Sequence, residues 1–101
     1  MKTIRQDIMD ILRDRYCSAR DISKLMGLRE REVYDHLTHI EKSLHEPQRL
    51  IIEPSKCLSC GFVFIKRKRL TMPGRCPVCK KQHITRPIYR IDDGESETRS
   101  S

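Results

Sequence analysis

Four cysteines in two pairs, Cys57-x2-Cys60 and Cys76-x2-Cys79, stand fifteen residues apart, and few folds accommodate that spacing. Each pair can present two thiolates to one ion, and the intervening length suits a hairpin that brings the pairs together. This is the pattern expected of a four-cysteine zinc site. Gly61 follows the first pair and Pro77 sits inside the second. Glycine tolerates the left-handed backbone needed as the chain leaves a metal knuckle, and proline stiffens the other turn. Four thiolates close a tetrahedral shell and leave no position for water, so the expected role is structural, with one Zn2+ per chain. Iron is the rival occupant, because softness and geometry do not separate the two metals in a sulfur tetrahedron. The segment around the cysteines is too short to bury a core of its own, so the metal must supply much of its stability.

The redox setting agrees. No stretch is apolar for long enough to span a membrane. The N-terminus carries charge straight into a helical pattern, unlike a secretory signal. A reducing, cytoplasmic setting is therefore expected, where cysteines bind metal more readily than they form disulfides. The fifth cysteine, Cys17, follows an amphipathic helix and is read as a buried small side chain.

Charge is unevenly distributed. Residues 1–54 hold ten Lys/Arg and ten Asp/Glu, residues 55–91 hold ten Lys/Arg and no acid, and residues 92–101 hold four acids and Arg99. All the surplus positive charge of a chain with net charge +7 thus lies in the cysteine segment. Such a concentration points to a polyanionic partner.

Before that segment the pattern is helical. Thr3 and Gln6 form a capping signal, and Ile4, Ile8, Ile11 and Leu12 give one apolar face, predicting a helix from Ile4 to Tyr16. Ser18 and Asp21 form a second cap. It is followed by Ala19, Ile22, Leu25 and Met26 as an apolar face and by Gly27 as a stop. Val33, Leu37, Ile40 and Leu44 mark a third helix, which Pro47 ends. Short helix, glycine turn and longer helix outline a helix-turn-helix. The segments 48–54 and 86–91 read as strands that bracket the cysteines. The expected fold class is therefore α+β: a winged helix-turn-helix of three helices and a β-hairpin wing, with the zinc ribbon inserted in the wing. The winged helix takes residues 1–54 and 86–91, the ribbon residues 55–85, and an acidic tail expected to be disordered residues 92–101. Phe62 to Ile65 reads as a strand leaving the first knuckle.

The segment Ser18-Ala19-Arg20-Asp21-Ile22-Ser23-Lys24-Leu25-Met26-Gly27, with Val33-Tyr34-Asp35-His36-Leu37, Cys57-x2-Cys60-Gly61-Phe62 and Arg75-Cys76-Pro77-x-Cys79, resembles a family of small archaeal predicted transcriptional regulators. Members combine a winged helix-turn-helix with a rubredoxin-like zinc ribbon. The resemblance covers nearly all of the chain except the acidic tail. It implies a regulator class, without a target sequence or an effector.

Two functions compete. In the first, the chain regulates transcription by binding double-stranded DNA. Arg31, Thr38, His39 and Lys42 then face the major groove, and Lys66, Arg67, Lys68 and Arg69 contact phosphate. In the second, it is an adaptor docking on a protein of the transcription machinery, with little direct DNA binding. The acids on the third helix, four against three Lys/Arg over 29–44, favour the second. An RNA-binding module using Phe62 or Phe64 as a stacking platform ranks third. No nucleophile–base pair and no open metal position is recognisable, so an enzyme is not expected. Whether the chain dimerises is left open.

Overall fold

Reciprocal caps launch the first two helices. Thr3 Oγ1 accepts from the Gln6 backbone N–H, and the Gln6 side chain accepts from the Thr3 N–H. These bonds satisfy orphan donors at the start of helix α1, Ile4–Asp14. Ser18 and Asp21 repeat the arrangement at the start of helix α2, Ala19–Met26. The Ser18 N–H holds the Asp21 carboxyl below its ordinary range, against a smaller opposing effect of burial. Gly27 closes α2 at φ +68°, a left-handed conformation that favours glycine. Helix α3, Glu30–Ser43, then begins without a capping hydroxyl; instead the Glu32 carboxylate accepts from the Arg29 N–H.

The computed structural model describes residues 3–65 and 70–94. Between α1 and α2 lies strand β1, Cys17–Ser18; strands β2, Arg49–Glu53, and β3, Ile88–Asp92, follow α3. The three strands form one antiparallel sheet in the order β1-β3-β2. β3 is thus central, although it comes last in the chain.

Helical faces and sheet share one core. Ile8 and Leu12 of α1, Ile22 of α2, and Val33, Leu37 and Ile40 of α3 are fully buried together with Tyr89 and Ile91 of β3. Cys17 is buried among them, and that burial raises its thiol above the ordinary range, so it is a packing residue. Leu25, expected in the core, is 53% exposed. A helix as short as α2 has room for only a narrow buried stripe, which Ala19 and Ile22 fill.

Other expectations are corrected. The first helix ends at Asp14, because the chain must extend by Cys17 to pair with Tyr89. Residues 62–65 do not form a regular strand: Val63 makes one isolated bridge, with Lys56. The tail expected to be disordered from residue 92 retains order through Gly94. Asp92 ends β3, and Asp93 accepts from the side chains of Arg13 and Gln48. Residues 95–101 lie outside the described residues.

The cysteine segment is tied back to this core. Leu70, between the two cysteine pairs, joins the helical cluster, and its carbonyl accepts from the Tyr89 hydroxyl. Arg86 donates to Glu30 at the start of α3, at 2.9 Å. Tyr89→Phe leaves the Leu70 carbonyl without that donor. It is expected to lower the urea-unfolding free energy of the zinc-loaded protein by about 1–2 kcal/mol. Tyr16→Phe, at an exposed ring, is expected to change it by less than about 0.5 kcal/mol.

Candidate metal centre

The register of β2 and β3 does not stop where the strands stop. Glu53 pairs with Ile88, and farther along Cys57 forms a bridge with Ile84 at the spacing that continues the same alignment. Between them Lys56 donates its N–H to Thr85 Oγ1 and accepts the Thr85 N–H, both at 2.9 Å. This alignment sets Pro54 opposite Pro87. Neither proline has an N–H, so the ladder breaks there without the arms separating. The first metal-ligating cysteine therefore sits on an interrupted extension of the β2–β3 hairpin.

Two knuckles then face each other. The Cys57 and Cys79 Sγ atoms are 3.5 Å apart, and those of Cys60 and Cys76 are 3.6 Å apart. All four lie within 4.8 Å of one another. A tetrahedral shell with metal–sulfur bonds of about 2.3 Å needs sulfur separations of about 3.8 Å, whereas a disulfide needs about 2.05 Å. The quartet fits one metal ion and no disulfide. Cys57 and Cys76 are buried, Cys79 is half-buried and Cys60 is exposed.

The backbone prepares the sulfurs. Burial pushes the Cys57 thiol up, but N–H groups of Cys60 and Ser59 and the neighbouring thiols outweigh it, bringing the thiol down to about 6. Cys76 is likewise lowered: the N–H groups of Cys79 and Val78 overcome its burial. At Cys60 the Phe62 N–H pulls downward, but burial and the three other cysteines push the thiol up to about 12. Without metal, then, thiolate gathers on the buried member of each pair while Cys60 keeps its proton.

The knuckles share more than their spacing. Cys57 N–H donates to the Phe62 carbonyl and Gly61 N–H to the Cys57 carbonyl; Cys76 N–H donates to Lys81 and Lys80 N–H to Cys76, all at 2.8–2.9 Å. Gly61 has φ +85°, and Lys80, at the matching position, has φ +66°. Lys80 was not singled out on conformational grounds from the sequence. The available signal was its place directly after the second Cys-x2-Cys, where the first knuckle has glycine. A side chain in this backbone region costs on the order of 1 kcal/mol.

The other predicted residues fall into separate groups. Arg31, Thr38, His39 and Lys42 are all exposed on α3. The Thr38 hydroxyl donates back to the Tyr34 carbonyl at 3.0 Å. Lys66, Arg67, Lys68 and Arg69 lie outside the described residues. Phe62 and Phe64 pack edge to face, with centroids 5.0 Å apart, and are half-buried, an arrangement of packing and not of an open stacking platform. Among the described residues the cysteines form the one cluster able to hold a metal ion.

Residues 3–52 match the model of the family described as PF0610-like, N-terminal, and residues 54–94 match the PF0610 rubredoxin-like zinc beta-ribbon domain. Among solved structures, the solution NMR structure of protein PF0610 from Pyrococcus furiosus is similar to this chain at 28% identity, with a TM-score of 0.73 over 88% of each chain. No curated protein matches the sequence. The sulfur geometry and the ribbon match together assign one structural zinc.

Metal binding must expel the Cys60 proton, so affinity falls with acidity. Between pH 8 and pH 6 the apparent zinc affinity, measured by competition with a chelator, is expected to drop by at least about tenfold per pH unit. Gly61→Ala meets open space and is strained only in its backbone. It is expected to weaken zinc binding about fivefold, equivalent to about 1 kcal/mol, whereas Lys80→Gly is expected not to weaken it.

Proposed function

Taking the chain as a PF0610-like N-terminal domain continued by a rubredoxin-like zinc β-ribbon, we propose that it is a DNA-binding transcriptional regulator. In this reading the three helices and the β2–β3 hairpin are a winged helix-turn-helix, and the zinc ribbon is an enlarged basic wing. The observation that carries the reading is the placement of α3. It follows a glycine turn, buries Val33, Leu37 and Ile40, and leaves Arg31, Thr38, His39 and Lys42 outward. A helix held this way is suited to a major groove, with Arg31 reading a base edge and Lys42 meeting phosphate. The element order and the sheet order β1-β3-β2 support the same reading.

The acids of α3 weigh less against DNA than their number suggests. Glu30 is occupied by Arg86, and Glu32 caps the backbone at Arg29. Beyond the helix, residues 55–91 carry ten Lys/Arg and no acid, enough to outweigh a zinc–thiolate cluster of about −2. Such a surface supplies affinity through phosphate neutralisation, while α3 supplies selection.

A second reading, an adaptor docking on the transcription machinery, is favoured by one observation. Leu58 and Val78, each inside a knuckle, are 56% and 62% exposed. Apolar side chains left that open beside a rigid metal site suit a protein partner.

Titration onto duplexes selected from a random pool separates the two. Under the DNA reading, replacing Arg31 and Lys42 by alanine reduces affinity for selected duplexes more than for unselected ones. Replacing Lys66 to Arg69 by alanine weakens all duplexes alike. The unmodified chain shows a log–log salt slope of about −4 to −5 if four to six phosphates are engaged. No enrichment from the pool and a flat salt profile would favour the adaptor.

A further inference from the structure

Where the hairpin crosses its two opposed prolines, the structure leaves a cleft of about 240 Å³ between the sheet and the ribbon. Ile52, Ser55, Phe64, Ile65, Thr71 and Pro87 are among the residues that line it. We propose that this cleft binds a small apolar carboxylate of about ten heavy atoms, a site distinct from both the metal and α3.

Three observations point there. First, the cleft is an uncovered end of the core face. In a strand, alternate residues share a face, and Ile52 is paired with Tyr89 as Leu50 is paired with Ile91. Tyr89 and Ile91 are fully covered, yet Ile52 is 37% exposed and Ile65, across the cleft, is 75% exposed. Apolar side chains that converge on a concavity at the joint of two folded units match the usual placing of small-molecule sites.

Second, Ser55 is 2% exposed, and its hydroxyl has no hydrogen-bond partner. An unmade bond on a buried hydroxyl costs free energy, which a ligand oxygen can recover. Its Cα–Cβ bond has three staggered positions, so the hydroxyl can turn into the cleft at small cost. As a donor it suits an acceptor-only carboxylate.

Third, the field has one sign. The ribbon side of the cleft belongs to the acid-free stretch 55–91, with Lys56 next to Ser55 and Arg86 next to Pro87 in the chain. A negative head group is favoured there and a positive one repelled. The enclosed volume admits a single substituted ring, too little for a folded segment of another protein.

The test uses the zinc-loaded full chain and 4-methylbenzoate, followed by amide chemical shifts, with neutral 4-methylbenzamide as its isostere. The expected result is saturable shifts at Ser55, Phe64 and Thr71 with a Kd of about 1 mM or tighter. Binding of the amide is expected to be at least about fivefold weaker. Ser55→Ala is expected to weaken the carboxylate by about fivefold, and Ile52→Trp, which fills the cleft, to abolish the shifts while the rest of the spectrum stays dispersed. The proposal is overturned by shifts that do not saturate by about 10 mM, by equal binding of the amide, or by undiminished binding in Ser55→Ala. Undiminished binding in a folded Ile52→Trp protein would overturn it as well.

Discussion

The antiparallel register of β2 and β3 is the constraint on which the rest of the molecule depends. It joins residues at either end of the 54–87 excursion, and closing a flexible loop of that length costs about 3 kcal/mol beyond a constant term. The sheet recovers the cost by placing Tyr89 and Ile91 under the three helices, where both are fully buried. The alignment also persists beyond the sheet, through Lys56 and Thr85, to the bridge between Cys57 and Ile84. What would otherwise be a long floppy loop becomes a hairpin with a metal near its far end.

Two kinds of fastening make this work. Near the helices the hairpin is held by apolar burial and by the Tyr89–Leu70 and Arg86–Glu30 contacts. Arg86 and Glu30 are each about one-third exposed, so that pair fixes orientation more than it adds stability. Past the prolines there is little apolar surface to bury, and four thiolates take over. Each sulfur pair is set by a knuckle whose backbone donors point at the buried cysteine, which lets the ribbon do without a conventional core. The clefted joint between these two regimes is where packing is least complete.

Much of this was legible in the residues. The quartet could be read because metal ligation demands residue type and spacing together. The caps at Thr3 and Ser18 could be read because a hydroxyl and an acid or amide three residues on satisfy local donors. The bracketing strands followed from apolar alternation on either side of the cysteines. What escaped notice depends on partners distant in sequence. β1 is two residues long and exists only because Tyr89 and Ile88 lie beside it. Leu70 looks like a loop residue until the ribbon folds back onto the core. The facing of Pro54 and Pro87 appears only once the register is known. The order of Asp93 was missed because an acidic composition signals solvation, whereas here Arg13 and Gln48 supply partners.

Hydrogen exchange with and without zinc tests the division between the two fastenings most directly. Amides of Cys57, Leu58, Cys76, Lys80 and Thr85, which donate within the ribbon and its hairpin arms, are predicted to lose protection when a chelator removes the metal. Amides of α1, α3 and the β2–β3 ladder are predicted to keep most of theirs. Ribbon amides that stay protected without zinc, or helices that lose protection together with the ribbon, would contradict the account.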